Sequence, residues 1–294
     1  MDDAAGAAAL VRTVYPERLS TEAGQRHRMT TAPARAYACS FKVERDGTIV
    51  GWASGMLDWL STTPADAYAG LLVHPAHRSA GIGSGLWLAL QEHLATIGAE
   101  TIRTQGDGES STARFAERWG FRRTSTETAL VLDPRAASAP DELPPGVVVL
   151  PISSRAHQRD AIFEVDRATM QDEPGDHDFG GLDYEAWERE TFAHPDFDPD
   201  LSTLVEVDGI LVGTSLLFVD RDSGRALNGG TGILREHRGR GLGLMLKRHA
   251  LAAAARAGID SVFTVNDETN APMLAINRRL GYRPFAERTA WRRG

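Results

Sequence analysis

The apolar residues in the first half of the chain follow a strand-like spacing and then a helical one. Apolar and polar residues alternate over 36–57 on both sides of Asp46-Gly47, which predicts a β-hairpin. The apolar run 67–73 predicts a further strand. Over 86–98, LWLALQEHLATIG, apolar residues recur at helical spacing up to a terminal glycine, which predicts a helix.

The second half repeats this order. A hairpin pattern covers 202–219 and turns at Asp208-Gly209, a strand pattern covers 226–234, and a helical pattern covers 244–258. Self-similarity on this scale indicates duplication of one structural plan.

A linker separates the two copies. The segment DPRAASAPDELPPG, residues 133–146, is rich in Pro and Ala and lacks apolar periodicity. We therefore predict an N-terminal domain over 1–133, a linker over 134–146 and a C-terminal domain over 147–294.

Each half holds the pattern Arg-x-x-Gly-x-Gly between its strand and its helix. Arg78, Gly81 and Gly83 form the first copy, and Arg238 begins the second copy 160 residues later. Glycines let the backbone approach a ligand closely, and the N–H groups at the start of a helix attract anions, so each loop is a candidate phosphate site. The spacing is neither the Gly-x-Gly-x-x-Gly of dinucleotide-binding folds nor a P-loop with its Lys and Ser or Thr.

Together with NAPMLAINRRLGY over 270–282, this motif resembles the GNAT superfamily of acyl-CoA-dependent N-acetyltransferases. The resemblance covers nearly the whole chain as two copies and is strongest over 228–285. It implies an α/β (α+β) fold of two tandem GNAT-type domains, each a mixed, mainly antiparallel sheet flanked by helices. It also implies acetyl-CoA as co-substrate, direct transfer of the acetyl group to an amine, and no metal.

The resemblance further implies which residues bind coenzyme A. The backbone amides of the second loop would hold the pyrophosphate, the end of the preceding strand would pair with the pantetheine arm, and an N–H there would polarise the thioester carbonyl. An Asn that often opens the last helix of the family contacts the coenzyme. The implied residues are Ile233, Leu234, Arg238, Gly239, Arg240, Gly241, Leu242, Gly243 and Asn270.

The catalytic positions depart from the family pattern. Seven residues after that Asn, many members carry a tyrosine that protonates the leaving thiolate, whereas this chain has Asn277. Asn277 either hydrogen-bonds the sulfur or satisfies neighbouring backbone groups, and a thiol of pKa about 8.5 can leave as thiolate without an acid. Glu206 and Asp222 are candidates for the base that takes the proton of the amine. The alternative interpretation of each is an ordinary hairpin or loop carboxylate without a catalytic role.

The first copy departs further from the family. It keeps Arg78, Gly81 and Gly83, which leaves coenzyme A binding open, but Glu109 and Ala116 stand where the Asn and the Tyr are expected. We therefore expect a degenerate N-terminal domain and a catalytic C-terminal domain.

The segment 171–200 bears on the acceptor. It holds eleven Asp or Glu and one Arg, together with several aromatic residues. Either it binds a cationic amine by charge and cation–π attraction, or it is a solvated acidic face with a buried aromatic side. Aminoglycosides, polyamines, amino-sugar thiol precursors and protein amino groups all remain possible acceptors. Tandem copies with a better-preserved second half also resemble mycothiol synthases, which acetylate a cysteinyl amine, although no motif singles out that substrate.

Composition excludes several other classes of function. A net charge of -8 argues against nucleic-acid binding, no apolar run approaches the about 20 residues that span a bilayer, and the acidic start lacks the charge of a targeting peptide. The one cysteine, Cys39, excludes an internal disulfide. We expect a cytoplasmic monomer or homodimer that acts on a small-molecule amine and binds neither nucleic acid nor membrane. The alternative from another class is a non-catalytic coenzyme A-binding sensor or assembly module.

Overall fold

The computed structural model describes residues 3–63, 65–137, 142–175 and 178–294. The chain forms two compact units. Unit 1 comprises Met1–Glu127, Asp176–Gly181 and Ala286–Gly294, and unit 2 comprises Thr128–Gly175 and Leu182–Phe285. The division into 1–133, 134–146 and 147–294 concerns the sequence repeats and stays a prediction, and residues 138–141 of that linker lie outside the described residues.

Unit 1 is built on a mixed sheet. Its elements are α1 (Ala4–Val14), α2 (Glu22–Thr31), β1 (Cys39–Arg45), β2 (Thr48–Leu57), β3 (Asp66–Val73), α3 (Ile82–Thr96), β4 (Thr101–Asp107), α4 (Ser110–Arg118) and the first part of β5 (Arg122–Leu132). Strands β1, β2 and β3 pair antiparallel, and β4 runs parallel to β3. The end of the last strand of the chain, β11 (Arg283–Arg293), pairs antiparallel with β4, from Arg288 opposite Asp107 to Arg293 opposite Ile102.

Unit 2 repeats the plan. Its elements are the end of β5, β6 (Val147–Pro151), α5 (Arg159–Met170), α6 (Tyr184–Glu190), β7 (Thr203–Val207), β8 (Ile210–Asp220), β9 (Arg225–Ile233), α7 (Leu242–Arg256), β10 (Ser261–Asp267), α8 (Ala271–Leu280) and the start of β11. Strands β6 to β9 pair antiparallel in chain order, β10 runs parallel to β9, and β5 lies beside β10.

The apolar side chains whose spacing predicted the helices and strands form the cores of the two units. Helix α3 buries Ile82, Leu86, Leu90 and Leu94, one residue per turn, against unit 1. Each such side chain contributes about 1.5–3 kcal/mol relative to an exposed one. Both predicted hairpins and both predicted long helices are confirmed, as is the mixed, mainly antiparallel sheet in each unit. Within the described ranges, every helix is too short or too polar to cross a membrane.

Candidate functional site

A fork between strands β9 and β10 is the central feature of unit 2. The strands run parallel and stay paired only as far as Asn228, which lies opposite Thr264. The β8–β9 register shifts between Leu216 and Leu217, which leaves Gly229 as an extra, bulged residue on β9. Beyond Asn228, the edge of β9 that faced β10 therefore has no strand partner among the described residues.

The predicted glycine loop lies at one end of this fork. It leads into α7, whose N-cap Gly241 has a φ of 77° and no side-chain capping bond. Gly239 has a φ of 76°, so both glycines occupy a left-handed conformation that other residues rarely adopt. A Cβ on Gly239 would meet nothing within 4 Å, and a Cβ on Gly241 would meet only Met245 Cε at 3.9 Å. The first N–H groups of α7 thus adjoin open space, an arrangement suited to an anion.

The fork and the loop line a cavity of about 650 Å³. Of the predicted coenzyme-binding residues, those in its wall are Ile233, Arg238, Gly239, Gly241, Leu242, Gly243 and Asn270. Leu234 and Arg240 lie outside this wall as far as the described residues define it. The Leu234 N–H donates instead to the Val212 carbonyl at 2.9 Å. Most of the predicted set is therefore brought to one cavity, while the role of each residue stays a prediction.

A carboxylate at the end of α5 holds the loop arginine. Arg238 Nη2 donates to Asp172 Oδ2 at 2.6 Å, and its Nε donates to the Ile233 carbonyl at 2.8 Å. Arg235 Nε donates to the same Asp172 oxygen at 2.8 Å. The hydrogen bonds from Arg235 and then Arg238 lower the pKa of Asp172 to about 2. The cation at the start of the loop is therefore fixed at the cavity wall.

The two predicted asparagines have different positions. Asn270 lies in the wall and caps α8, where its Oδ1 accepts a hydrogen bond from the Met273 N–H at 3.2 Å. Asn277 is fully buried and donates through Nδ2 to Asn266 Oδ1 at 2.6 Å, while its own Oδ1 has no partner among the described residues. Asn266 belongs to the described wall and Asn277 does not, so Asn277 is hydrogen-bonded to a wall residue without lining the cavity itself.

Neither predicted carboxylate base lies in the described wall of the cavity. Glu206, on β7, accepts hydrogen bonds from Arg155 Nε at 2.9 Å and Nη2 at 3.4 Å. Asp222 is exposed in the turn after β8, where its N–H donates to Asp220 Oδ1 at 3.2 Å. An ion pair and a turn account for these two side chains, so the geometry gives no support to either as the base.

Acidic and aromatic residues of the segment 171–200 lie in different places. Trp187, on α6, is 1% exposed, and its ring lies 5.6 Å from that of Phe163 and 5.1 Å from that of Phe192, centroid to centroid. Trp187 and Phe163 are buried and Phe192 is half-buried, and all three rings lie outside the described cavity wall, whereas Asp172 and Glu173 belong to the wall. Acidic groups, not aromatic faces, are therefore presented to the cavity.

A buried lysine stands in the cavity wall and was not expected from the sequence. Lys247, on α7, is 2% exposed and donates through Nζ to Asn228 Oδ1 at 2.7 Å. Asn228 in turn donates through Nδ2 to the carbonyls of Leu216 and Gly230, at 2.9 and 3.1 Å, and so holds both sides of the bulge. Burial lowers the pKa of Lys247 to about 7, with Glu173 opposing that shift.

A buried carboxylate in the wall was missed as well. Asp166, on α5, is 4% exposed and accepts hydrogen bonds from Trp187 Nε1 at 2.8 Å and Thr214 Oγ1 at 3.3 Å. Burial raises its pKa to about 6, and the two hydrogen bonds oppose that shift. The sequence contains one signal that could have identified both Asp166 and Lys247: each is a charged residue on an otherwise apolar helix face.

Unit 1 contains a smaller cavity, of about 470 Å³, built on the same plan. Strands β3 and β4 pair only as far as Tyr68, opposite Arg103, and Gly81 is the uncapped N-cap of α3 with a φ of 80°. Its wall includes the three predicted residues Arg78, Gly81 and Gly83. Arg78 is held by Asp107 at 3.1 Å and by Glu109 at 2.8 Å. Large rings also line this cavity, those of Trp87, Phe115, Phe121 and Trp291 among them.

The sequence matches a known protein family in both halves. The model described as the acetyltransferase (GNAT) family matches residues 8–121 and 163–282. A mycothiol acetyltransferase of Parafrankia sp. (strain EAN1pec) is 29% identical over 278 residues, covering 85% of this chain and 82% of the relative. A mycothiol acetyltransferase of Frankia casuarinae is 32% identical over 250 residues, covering 80% of this chain and 69% of the relative.

The fold also resembles that of solved structures. A tandem GNAT protein from the clavulanic acid biosynthesis pathway superposes with a TM-score of 0.76 at 23% identity, over 99% of this chain and 95% of that one. At this identity the likeness concerns the fold.

Proposed function

Because the chain belongs to the acetyltransferase (GNAT) family and is an N-acetyltransferase, we propose that unit 2 carries the transfer of an acetyl group from acetyl-CoA to the amine of a small molecule. The observation that supports this assignment is the fork of β9 and β10, which opens toward the uncapped start of α7. Unit 1 has the same plan, but its cavity is smaller and its arginine is held by two carboxylates.

The residues of unit 2 fit the co-substrate. The open space over Gly239 and Gly241 admits a pyrophosphate that side chains would block, and the N–H groups of the loop and first helical turn can donate to it. Arg238 adds a positive charge at the same wall. The unpaired edge of β9 up to Ile233 offers backbone groups to a pantetheine arm. Acetyl-CoA supplies an acetyl group activated as a thioester.

The bulge at Gly229 provides the donors for the chemistry. In a regular ladder the edge of β9 that faces β10 would stay paired, whereas the β10 ladder ends at Asn228 and the bulge follows directly, while β8 keeps its pairing on the other edge. A fixed N–H near the thioester carbonyl stabilises the negative charge that develops on its oxygen. Asn228 fixes this segment through its hydrogen bonds to the Leu216 and Gly230 carbonyls.

A cationic small molecule suits the acceptor side. The cavity wall includes Asp166 and Glu173, which favour an ammonium group by charge, whereas Asp172 is already paired with Arg235 and Arg238. The relatives named mycothiol acetyltransferase support an acceptor of the mycothiol type, so a cysteinyl amino sugar is the first compound to test.

The test is an acetyl transfer assay on a panel of amines. Polyamines, aminoglycosides, amino acids, peptide N-termini and an S-methylated cysteinyl amino sugar are each incubated with acetyl-CoA. The blocked sulfur lets the released coenzyme A thiol be measured optically, and mass spectrometry identifies the acetylated amine. We expect turnover with at least one small-molecule amine.

Three tryptophan substitutions locate the reaction. Gly241→Trp should abolish turnover because it fills the space over the loop. Gly258→Trp, at the other end of α7, introduces the same left-handed strain at a φ of 79° with nothing within 4 Å, and should leave turnover nearly unchanged. Gly81→Trp makes the same test of unit 1. Loss of turnover in Gly81→Trp but not in Gly241→Trp, with both proteins folded, would assign the reaction to unit 1 instead.

A further inference from the structure

Asp166 is a buried carboxylate without a countercharge. It is 4% exposed, and among the described residues its partners are the neutral donors Trp187 Nε1 and Thr214 Oγ1, with no ion pair. Burying a carboxylate without a cation is unfavourable, and this is why its pKa rises to about 6. Protonation of the carboxylate, or a cationic ligand beside it, would relieve this cost.

Side chains on two other elements, α6 and β8, contact Asp166. Trp187 faces it from α6 and Thr214 from β8, and neither of these side chains carries a charge near neutral pH. The other charged or titratable residues of the described cavity wall are Asp172, Glu173, His237, Arg238, Lys247 and Arg279. None of these six is hydrogen-bonded to Asp166. Burial lowers the pKa of Lys247 to about 7, and the imidazole of His237 shares the wall, so a pH experiment must separate Asp166 from these two side chains.

Asp166 lies over the fork between strands β9 and β10. Thr214, its partner, lies opposite Gly232 in the β8–β9 ladder. A Cβ on Gly232 would lie 2.1 Å from Thr169 Oγ1, so helix α5 rests directly on β9 at this glycine. Asp166 lies one turn before Thr169 on the same helix and shares its cavity wall. The carboxylate therefore lies in the cavity wall where α5 packs on β9, next to the strand edge that is proposed to hold the thioester.

We propose that Asp166 is the catalytic base of the acetyl transfer, binding the acceptor as an ammonium ion and taking its proton. This role rests on the proposed function of unit 2. The ammonium first gives one proton to Asp166, which passes it to solvent, and the freed lone pair of the nitrogen bonds to the acetyl carbon. The carbon–sulfur bond then breaks and the sulfur leaves as thiolate, while the nitrogen gives its second proton to Asp166 and becomes the amide. Thr214 and Trp187 act as positioning residues, because their hydrogen bonds orient the carboxylate and set its basicity.

Kinetics with acetyl-CoA and the S-methylated cysteinyl amino sugar test the role. Asp166→Asn has nearly the same shape and should lower kcat/KM by at least about a hundred-fold, the usual contribution of a general base. Acetyl-CoA affinity, measured by calorimetry, should stay within about two-fold, because Asp166 acts on the amine. Asp160→Asn, an exposed carboxylate on the same helix, is the matched control and should change neither quantity.

A pH profile separates a base from a merely structural carboxylate. Thr214→Val removes one hydrogen bond to Asp166 at nearly constant shape and should move the acidic limb of kcat/KM upward by about one pH unit. Thr214→Ser keeps the hydroxyl and should leave that limb in place. Lys247→Met should leave it in place as well, which excludes the lysine as the group that titrates in this limb.

Fluorine NMR provides a readout without turnover. Trp187 is the tryptophan of unit 2, and the other five of the chain belong to unit 1, so a fluorotryptophan-labelled protein gives one resonance from this site. Its shift should titrate near pH 6 in the wild type and not in Asp166→Asn. An unchanged resonance in the wild type across pH 4 to 8 would contradict the proposal.

The two possible failures are distinguishable. Silence of the wild-type protein across the amine panel overturns the function proposed for unit 2, and the role of Asp166 with it. Turnover that Asp166→Asn retains with the wild-type pH profile overturns the role of Asp166 alone.

Discussion

Replacing Lys247 by methionine should stabilise unit 2 at neutral pH and remove most of the pH dependence of its stability. Methionine has a similar length without the charge, so it keeps the packing of a side chain that is 2% exposed. The substitution removes the Nζ hydrogen bond to Asn228 Oδ1, which still accepts one from Thr231 Oγ1 at 3.0 Å.

The magnitude follows from the difference between two pKa values. Burial lowers the pKa of Lys247 from 10.5 to about 7. The unfolded chain therefore holds the extra proton between these two values, and the free energy of unfolding rises with pH across this window. At 1.36 kcal/mol per pKa unit, burying the ammonium costs about 4 kcal/mol at pH 7 and about 2 kcal/mol less at pH 9. A lost hydrogen bond offsets about 1 kcal/mol, so Lys247→Met should gain about 3 kcal/mol at pH 7.

Urea unfolding at pH 7 and pH 9 measures this effect. The fluorine resonance of Trp187 follows the unfolding of unit 2 without interference from the tryptophans of unit 1. The chain has one other lysine, Lys42, which is partly exposed and belongs to unit 1, so Lys42→Met is the matched control. Labelling the two lysines with carbon-13 measures the pKa of Lys247 directly.

Two results would refute the reasoning. If wild type and Lys247→Met gain the same stability from pH 7 to pH 9, the lysine does not titrate in that window. If Lys247→Met is less stable than wild type at pH 7, the hydrogen bond to Asn228 outweighs the cost of burying the ammonium.

Two further substitutions test charges in the two units. Asp172→Asn should tighten the binding of coenzyme A several-fold, because Arg238 would no longer share its guanidinium with a carboxylate, and this gain should disappear as salt is raised. Calorimetry at two salt concentrations measures the affinity, with the exposed Asp200→Asn as control. Weaker binding in Asp172→Asn would mean that Asp172 orients the arginine. Glu17→Gln should destabilise unit 1 by about 3 kcal/mol, because it removes the carboxylate that is hydrogen-bonded at 2.8 Å to the guanidinium of Arg288, which is 7% exposed, and leaves Glu127 as a weaker countercharge. Denaturant unfolding against the exposed control Glu22→Gln, with hydrogen exchange at the end of β11, tests this, and an unchanged stability would contradict it.

The sequence by itself determined the repeated plan and the loops. Hairpins at Asp46-Gly47 and Asp208-Gly209, and helices that begin after Gly81 and Gly241, depend on backbone conformation and on spacing within a few residues. Such signals are local, so they can be read along the chain. Most of the predicted coenzyme-binding residues share one wall for the same reason, since a single loop and the strand before it carry them.

Only the tertiary structure decided which charges face the cavity. Glu206 looked available in its hairpin, but Arg155, 51 residues earlier, holds it. Asp166 looked like any helical carboxylate, yet Thr214, 48 residues later, and Trp187 join it in a buried site. The pairing of the chain end with β4 likewise depends on residues far apart in sequence. Burial and countercharge are set by packing between distant segments, and these two quantities decide whether a carboxylate or an ammonium group is solvated, paired or ready to exchange a proton.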